Sequence, residues 1–274
     1  MATTIGKGII DPGIVDNRII AATLIRACVW DILTWFYGLP TSSSHALIGG
    51  MIGSALMKTG WSAMQWHGIG KAAVFIFLAP LIGMAIGVVI SIIVSWSFRN
   101  VPFGTANWVF RRGQLLSAAL YSLGHGGNDA QKTMGIIYVL LIGASAEGAA
   151  FATPKEVPTE VVLACHVAMG LGTLFGGWRI VKTMGQRIVH LRPVDGFCAE
   201  TGAAATLVLT LGFGIPVSTT HTITGAIVGV GSMKGPRAVR WSVAARVVWA
   251  WILTIPGTAL VSMACWPALQ WLPS

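Results

Sequence analysis

The chain has 274 residues, of which 54% are apolar and 10% charged, and its mean hydropathy is +0.74. A soluble domain carries about 25% charged residues, so the composition excludes a soluble enzyme, a disordered chain and a fibrous protein. It points to a polytopic membrane protein. The net charge is +9. The basic residues flank apolar stretches, as Arg99, Arg111, Arg112, Arg179 and Lys182 do. That placement fits loops that set membrane orientation and gives no support to nucleic-acid binding.

Residues 1–18 contain Lys7, Asp11, Asp16 and Arg18 and no apolar core, so no secretory signal peptide is expected. A first helix is predicted over 19–37, and a second follows Pro40 and continues to residue 57. The third, over 71–98, has no charge between its ends and at 1.5 Å per residue spans about 40 Å. A basic loop over 99–112 follows, then an apolar stretch over 115–144 interrupted by Gly124-His125-Gly126-Gly127-Asn128-Asp129. A polar linker is expected over 147–158 and helices over 161–180 and 197–213. A Gly-Ile-Pro break at 214–216 precedes the stretch 217–232, and the last helix, over 241–266, contains Pro256. No strand alternation is present, and the expected class is all-α. Cys28, Cys165, Cys198 and Cys265 are far apart in sequence and read as buried small hydrophobes.

One segment occurs twice. GLPTSSSHALIGGMIG at 38–53 aligns with GIPVSTTHTITGAIVG at 214–229 at a constant offset of 176. Gly38/Gly214, Pro40/Pro216, Ser42/Ser218, His45/His221, Gly49/Gly225 and Gly53/Gly229 are identical, while Ser43/Thr219 and Ser44/Thr220 keep the hydroxyl. Interrupted segments in matching places of two halves point to a transporter binding site. Gly-x-Pro ends one helical piece, and Ser or Thr caps the next. Each motif therefore reads as a half-helix starting inside the membrane, with free N–H groups and its positive dipole end facing the site. Ser42, Ser43 and Ser44 with Ser218, Thr219 and Thr220 suit an oxyanion; the alternative is that the hydroxyls only cap kinked helices.

Asp129 lies in an apolar stretch, where a carboxylate costs about 2.5–3.5 kcal/mol on insertion scales. Two readings stand: ligand of a hard cation or proton carrier, with Asn128 and Gln131 adding amide groups, or salt-bridge partner of Lys132. Asp31 and Glu200 are also in apolar stretches, and Asp31 either pairs with Arg26 or serves function. His45, His125 and His221 lack metal-site spacing. An intramembrane serine hydrolase would need a nucleophile elbow, and no Gly-x-Ser-x-Gly is present.

With these residues in hand the chain resembles the inorganic phosphate transporter (PiT) family. The resemblance rests on residues 38–50, GHGGNDAQKTMG at 124–135 and residues 214–231. Weaker support comes from residues 3–12, 181–193 and 250–257. It implies a multi-pass protein of the bacterial inner membrane, built of inverted repeats with broken or re-entrant helices. It also implies symport of phosphate with a proton or sodium, no enzyme activity and no cofactor beyond the coupling ion. Phosphate, the coupling cation, lipid and a homodimer partner are its implied partners. Phosphate ligands carried over are Ser42, Ser43, Ser44, Ser218, Thr219, Thr220 and Gln131; Asn128, Asp129 and Glu200 belong to cation or proton coupling, with sodium at Asn128 and Asp129. The rivals are symport of another oxyanion such as sulfate, and a non-transporting membrane subunit.

The expected division is a first repeat over 1–98, a connecting loop over 99–112 and a second repeat over 113–274. The family carries an Asn-Asp-like motif in both halves. Subtracting 176 from 128 puts the partner of Asn128 at position −48, upstream of Met1. Thr4, Gly6 and Ile9 match Thr183, Gly185 and Ile188, which close a helix. The chain is therefore expected to begin at the end of a transmembrane helix, without half of the two-sided site and unable to transport alone.

Overall fold

The computed structural model describes residues 8–146, 156–212 and 217–269. Among them the elements are helical: α1 (Asn17–Tyr37), α2 (Ser43–Thr59), α3 (Trp66–Ser97), α4 (Phe103–Ala146) and α5 (Thr159–Phe175). Then come α6 (Trp178–Lys182), running into a π-helical turn at Thr183–Ile188, α7 (Pro193–Gly212), α8 (Thr219–Ser232) and α9 (Trp241–Leu269). α1, α3 and α9 are each long and apolar enough to cross a membrane. Side chains such as Ile32, Phe36, Val74, Phe77, Val89 and Ile92 are exposed along them, as lipid-facing positions require.

Local chemistry sets the helix starts. Asp16 caps α1 by accepting the Ile19 N–H, and Ser42 and Ser218 cap α2 and α8 in extended conformation. Gly38 closes α1 in the left-handed region at φ 66°. The Gly-Ile-Pro break at 214–216, with Gly214 and Pro216 of the repeat, lies outside the described residues, as do residues 1–7 and all of the polar linker before Glu156.

Several expectations are corrected. The Gly-rich run 124–129 does not interrupt its helix, because α4 passes through it unbroken. Each Gly costs about 1 kcal/mol of helix propensity, which the packing of α4 on α7 and α5 offsets. The predicted helix over 161–180 is broken instead: α5 ends at Phe175, Gly177 takes φ 100°, and the axis bends by 59°. Residues 103–112 of the basic connection are the first turns of α4, where Arg112 stacks over Trp108 at 4.0 Å. Arg26 donates to Ala22 O at 2.8 Å, and no Arg26–Asp31 pair forms. Cys165 and Cys198 are buried as expected, but Cys28 and Cys265 are exposed.

The two hydroxyl-capped helices exchange partners. α2 packs on α1 and on α9, whereas α8 packs on α7 and on α3. Thus each lies against the helix that follows the other motif. The offset of 176 that relates Gly49 to Gly225 also relates Pro80 of α3 to Pro256 of α9. A Cβ on Gly49 would lie 2.4 Å from Ile255 O, and one on Gly225 would lie 2.0 Å from Pro80 O. Both glycines therefore seat backbone on backbone at equivalent turns. The periphery repeats as well: Lys58 pairs with Asp16 at 2.8 Å, and Lys234 pairs with Asp195. An antiparallel bridge joins Ile10 to Met64, and another joins Val189 to Val239.

Candidate functional site

The site begins at the first turns of α2 and α8. Ser42 Oγ accepts the His45 N–H at 3.4 Å, and Ser218 Oγ accepts the His221 N–H at 3.3 Å. Both serines are buried. The N–H groups of residues 43, 44, 219 and 220 have no acceptor within their helices, as at any helix start. The His45 and His221 rings touch, with centroids 4.9 Å apart. His221 also stacks on Trp251 at 4.0 Å, and Trp251 Nε1 donates to Pro40 O at 2.8 Å. That bond ties α9 to the segment entering α2.

α4 brings a charged pair to this meeting point. Asp129 Oδ1 accepts from Lys132 Nζ at 2.6 Å, while Asp129 Oδ2 accepts from Thr219 Oγ1 at 3.1 Å and lies 3.1 Å from His125 Nε2. Lys132 Nζ also donates to Ser44 Oγ at 2.5 Å and to Val217 O at 3.2 Å. One buried ammonium thus holds the carboxylate, the first hydroxyl motif and the backbone entering the second. Tyr121 OH donates to Thr219 O at 3.4 Å.

Of the residues predicted from sequence, Asp129 and Thr219 are joined directly, Ser44 is linked to Asp129 through Lys132, and Ser42 and Ser218 stand beside them as caps. Ser43 is exposed, Thr220 and Gln131 are half-buried, and none of the three side chains bonds to a described residue. Asn128 is fully buried; its Nδ2 donates to Gly124 O at 2.9 Å, and its Oδ1 has no partner. Glu200 on α7 is not brought to Asp129; its Oε2 accepts from Ser117 Oγ at 2.6 Å. Asp31 lies within electrostatic range of Asp129. Among the described residues no cluster of three or more His, Cys, Asp or Glu side chains is placed to hold a metal ion.

Sequence reasoning took Lys132 only as a structural partner of Asp129 and missed its reach to Ser44 and Val217. It also missed His125 and Tyr121 as neighbours of Asp129 and Thr219. The readable signal was spacing: residues 125, 129 and 132 share one helical face.

Chemically, Asp129 and Lys132 cancel each other's charge. What remains for a ligand is two helix N-termini, unpaired hydroxyls at residues 43 and 220, and the Asn128 oxygen. The helix N-termini and the hydroxyls favour an oxyanion, whereas the Asn128 oxygen, an acceptor only, suits a cation or a donor.

Comparison with known proteins agrees. The profile of the Phosphate transporter family matches residues 1–262. A Rhizobium meliloti (strain 1021) protein named "Probable low-affinity inorganic phosphate transporter" is 54% identical over 267 residues, covering 97% of this chain and 78% of that one. A Bacillus subtilis (strain 168) relative of the same name is 41% identical, covering 94% and 77%. A Mycobacterium tuberculosis (strain ATCC 25618 / H37Rv) relative, again of that name, is 42% identical, covering 95% of this chain and 62% of its own. In fold, the chain is similar to a solved structure titled "The sodium-dependent phosphate transporter", with a TM-score of 0.84 and 23% identity over 99% of this chain and 85% of that one. The paired hydroxyl-capped helices, the apolar spans and these matches lead to one conclusion: this multi-pass membrane protein belongs to the phosphate transporter family, whose members are transporters and not enzymes.

Proposed function

We propose that this protein moves inorganic phosphate across the bacterial inner membrane by symport with a cation. The observation that carries the reading is the Asp129–Lys132 pair bridging two hydroxyl-capped helix starts from the two repeats. Phosphate lies between those starts. Ser43 and Thr220 donate to it, and Ser42 and Ser218, which use one lone pair as caps, keep their O–H groups for it. Ser44 and Thr219 sit behind, holding the charged pair, and Gln131 supplies an amide from α4.

Asn128 and Asp129 form the coupling side of the site, and Glu200 belongs to the same machinery at a distance. Residues 1–98 and 113–274 act as halves of an inverted repeat joined through 99–112. The exchanged packing of α2 on α9 and of α8 on α3 supports this division. Motion of one half against the other switches access, and the ligand acts by stabilising one arrangement over the other.

The test is uptake of labelled phosphate into proteoliposomes under imposed cation gradients, by this chain and by a form extended upstream with the expected partner helices, and the variants are made in the form that transports. Asp129→Asn removes the charge that holds Lys132 and eases burial. The variant is expected to insert normally and to lose uptake. Uptake near the unsubstituted level would remove Asp129 from the mechanism. Sulfate that competes as well as unlabelled phosphate would reassign the substrate to oxyanions in general.

A further inference from the structure

Lys132 is the most deeply placed cation of the site, and its surroundings are those of a bound ion. Its ammonium is 2% exposed and meets three oxygens of different origin: the Asp129 carboxylate at 2.6 Å, the Ser44 hydroxyl at 2.5 Å and the Val217 carbonyl at 3.2 Å. A carboxylate, a hydroxyl and a backbone carbonyl converging on one point are the donor types that a hard cation takes. Here a covalently tethered cation fills the point.

The second carboxylate oxygen is engaged too, by Thr219 Oγ1 and His125 Nε2. A sodium ion binding Asp129 would therefore have to displace Lys132 or meet its charge at contact distance, in a low-dielectric setting where like charges repel strongly. Both Asp129 and Lys132 ride on α4, while Ser44 and Val217 belong to the two repeats. The ammonium thus does what a coupling ion would do, joining the moving parts through one positive centre.

We infer that the Lys132 ammonium takes the place of a sodium ion at Asp129, so that phosphate transport by this protein does not depend on sodium. This rests on the phosphate-transport reading above. It also separates the coupling ion from the fold, since the similar solved structure is titled sodium-dependent.

The experiment measures phosphate uptake in proteoliposomes by whichever of the two forms named above transports, this chain or the one extended upstream, in sodium and with sodium replaced by choline. Unsubstituted protein is expected to transport equally in both. Lys132→Asn leaves the three oxygens and adds a neutral one. Loss of the charged contact is expected to lower uptake roughly tenfold or more in choline, with recovery in sodium. Sodium-stimulated uptake by the unsubstituted protein would overturn the inference. So would a correctly inserted Lys132→Asn that is inactive in both salts, or equally active in both.

Thermal unfolding of unsubstituted protein in detergent gives a second measurement should the variant not fold: sodium is expected to leave the midpoint where choline does. A sodium-dependent rise overturns the inference. Absence of uptake by both the chain and its upstream-extended form under every gradient would count against the phosphate-transport reading, and the unfolding comparison would then decide the role of Lys132 alone.

Discussion

His45 and His221 hold the same place in two copies of one motif, 176 residues apart, and their rings meet with centroids 4.9 Å apart. The contact lies where the starts of α2 and α8 converge, so the two copies touch through their own equivalent residues. His221 carries the larger load because it also stacks on Trp251. His221→Ala is expected to cost about 1–3 kcal/mol and His45→Ala less, read from thermal unfolding in detergent. An equal or larger loss for His45→Ala would show that the Trp251 stack contributes nothing.

The hydroxyls divide by what they already hold. Ser43 and Thr220 are free of bonds to described residues, whereas Ser42 and Ser218 are caps. Ser43→Ala and Thr220→Ala are expected to raise the phosphate KM by roughly ten- to a hundredfold, the worth of a hydrogen bond to a charged ligand. Ser42→Ala and Ser218→Ala are expected to lower stability as well, by about 1 kcal/mol each. Kinetics and unfolding on the four variants check the split; normal phosphate KM in all four would remove the hydroxyl motifs from binding.

Backbone contact at the exchanged helices makes a stability prediction. Gly49→Ala and Gly225→Ala push a methyl to within 2.0 Å of Thr258 Oγ1 and of Pro80 O respectively. Each is expected to cost about 1–3 kcal/mol or more, since the helices have to separate. Gly170→Ala on α5 meets nothing within 4 Å and is expected to be neutral or to gain up to about 1 kcal/mol of helix propensity. Equal expression and melting of all three would contradict the packing described.

Asp16 and Lys58 link the start of α1 to the end of α2 at the periphery. Burial alone would raise the Asp16 pKa, but the Lys58 ammonium and the Ile19 N–H outweigh it and hold the carboxyl below its usual value. A carboxyl with a lower pKa when folded stabilises above the unfolded value of about 4 and loses that contribution as pH falls through its folded pKa. The pair is partly exposed, so Lys58→Met is expected to cost at most about 1 kcal/mol at neutral pH. The variant should approach the unsubstituted protein as pH drops below 4, read from unfolding midpoints across pH. A difference that persists unchanged at pH 3 would assign the effect to packing of the lysine stem.

The local start signals and the site's chemistry were legible in the amino-acid sequence. Ser42 and Ser218 begin their helices where the motif says, because a cap is made between residues three apart. The repeat announced two equivalent helix starts, and Asp129 stood out because an apolar span makes a carboxylate costly. Tertiary structure decided what sequence distance hides. The Gly-rich run at 124–129 looked like a break, yet it stays helical because α4 packs along α7 and α5, and tertiary packing outweighs local propensity. Nothing along the chain says that α2 rests on α9 and α8 on α3; that exchange depends on glycines meeting backbone some 145–206 residues away. Lys132 could be paired with Asp129 by its spacing of three, but its hold on Ser44 and Val217, 88 and 85 residues distant, exists only because folding brings both hydroxyl motifs to one face of α4, where a buried ammonium has to find oxygens to remain charged.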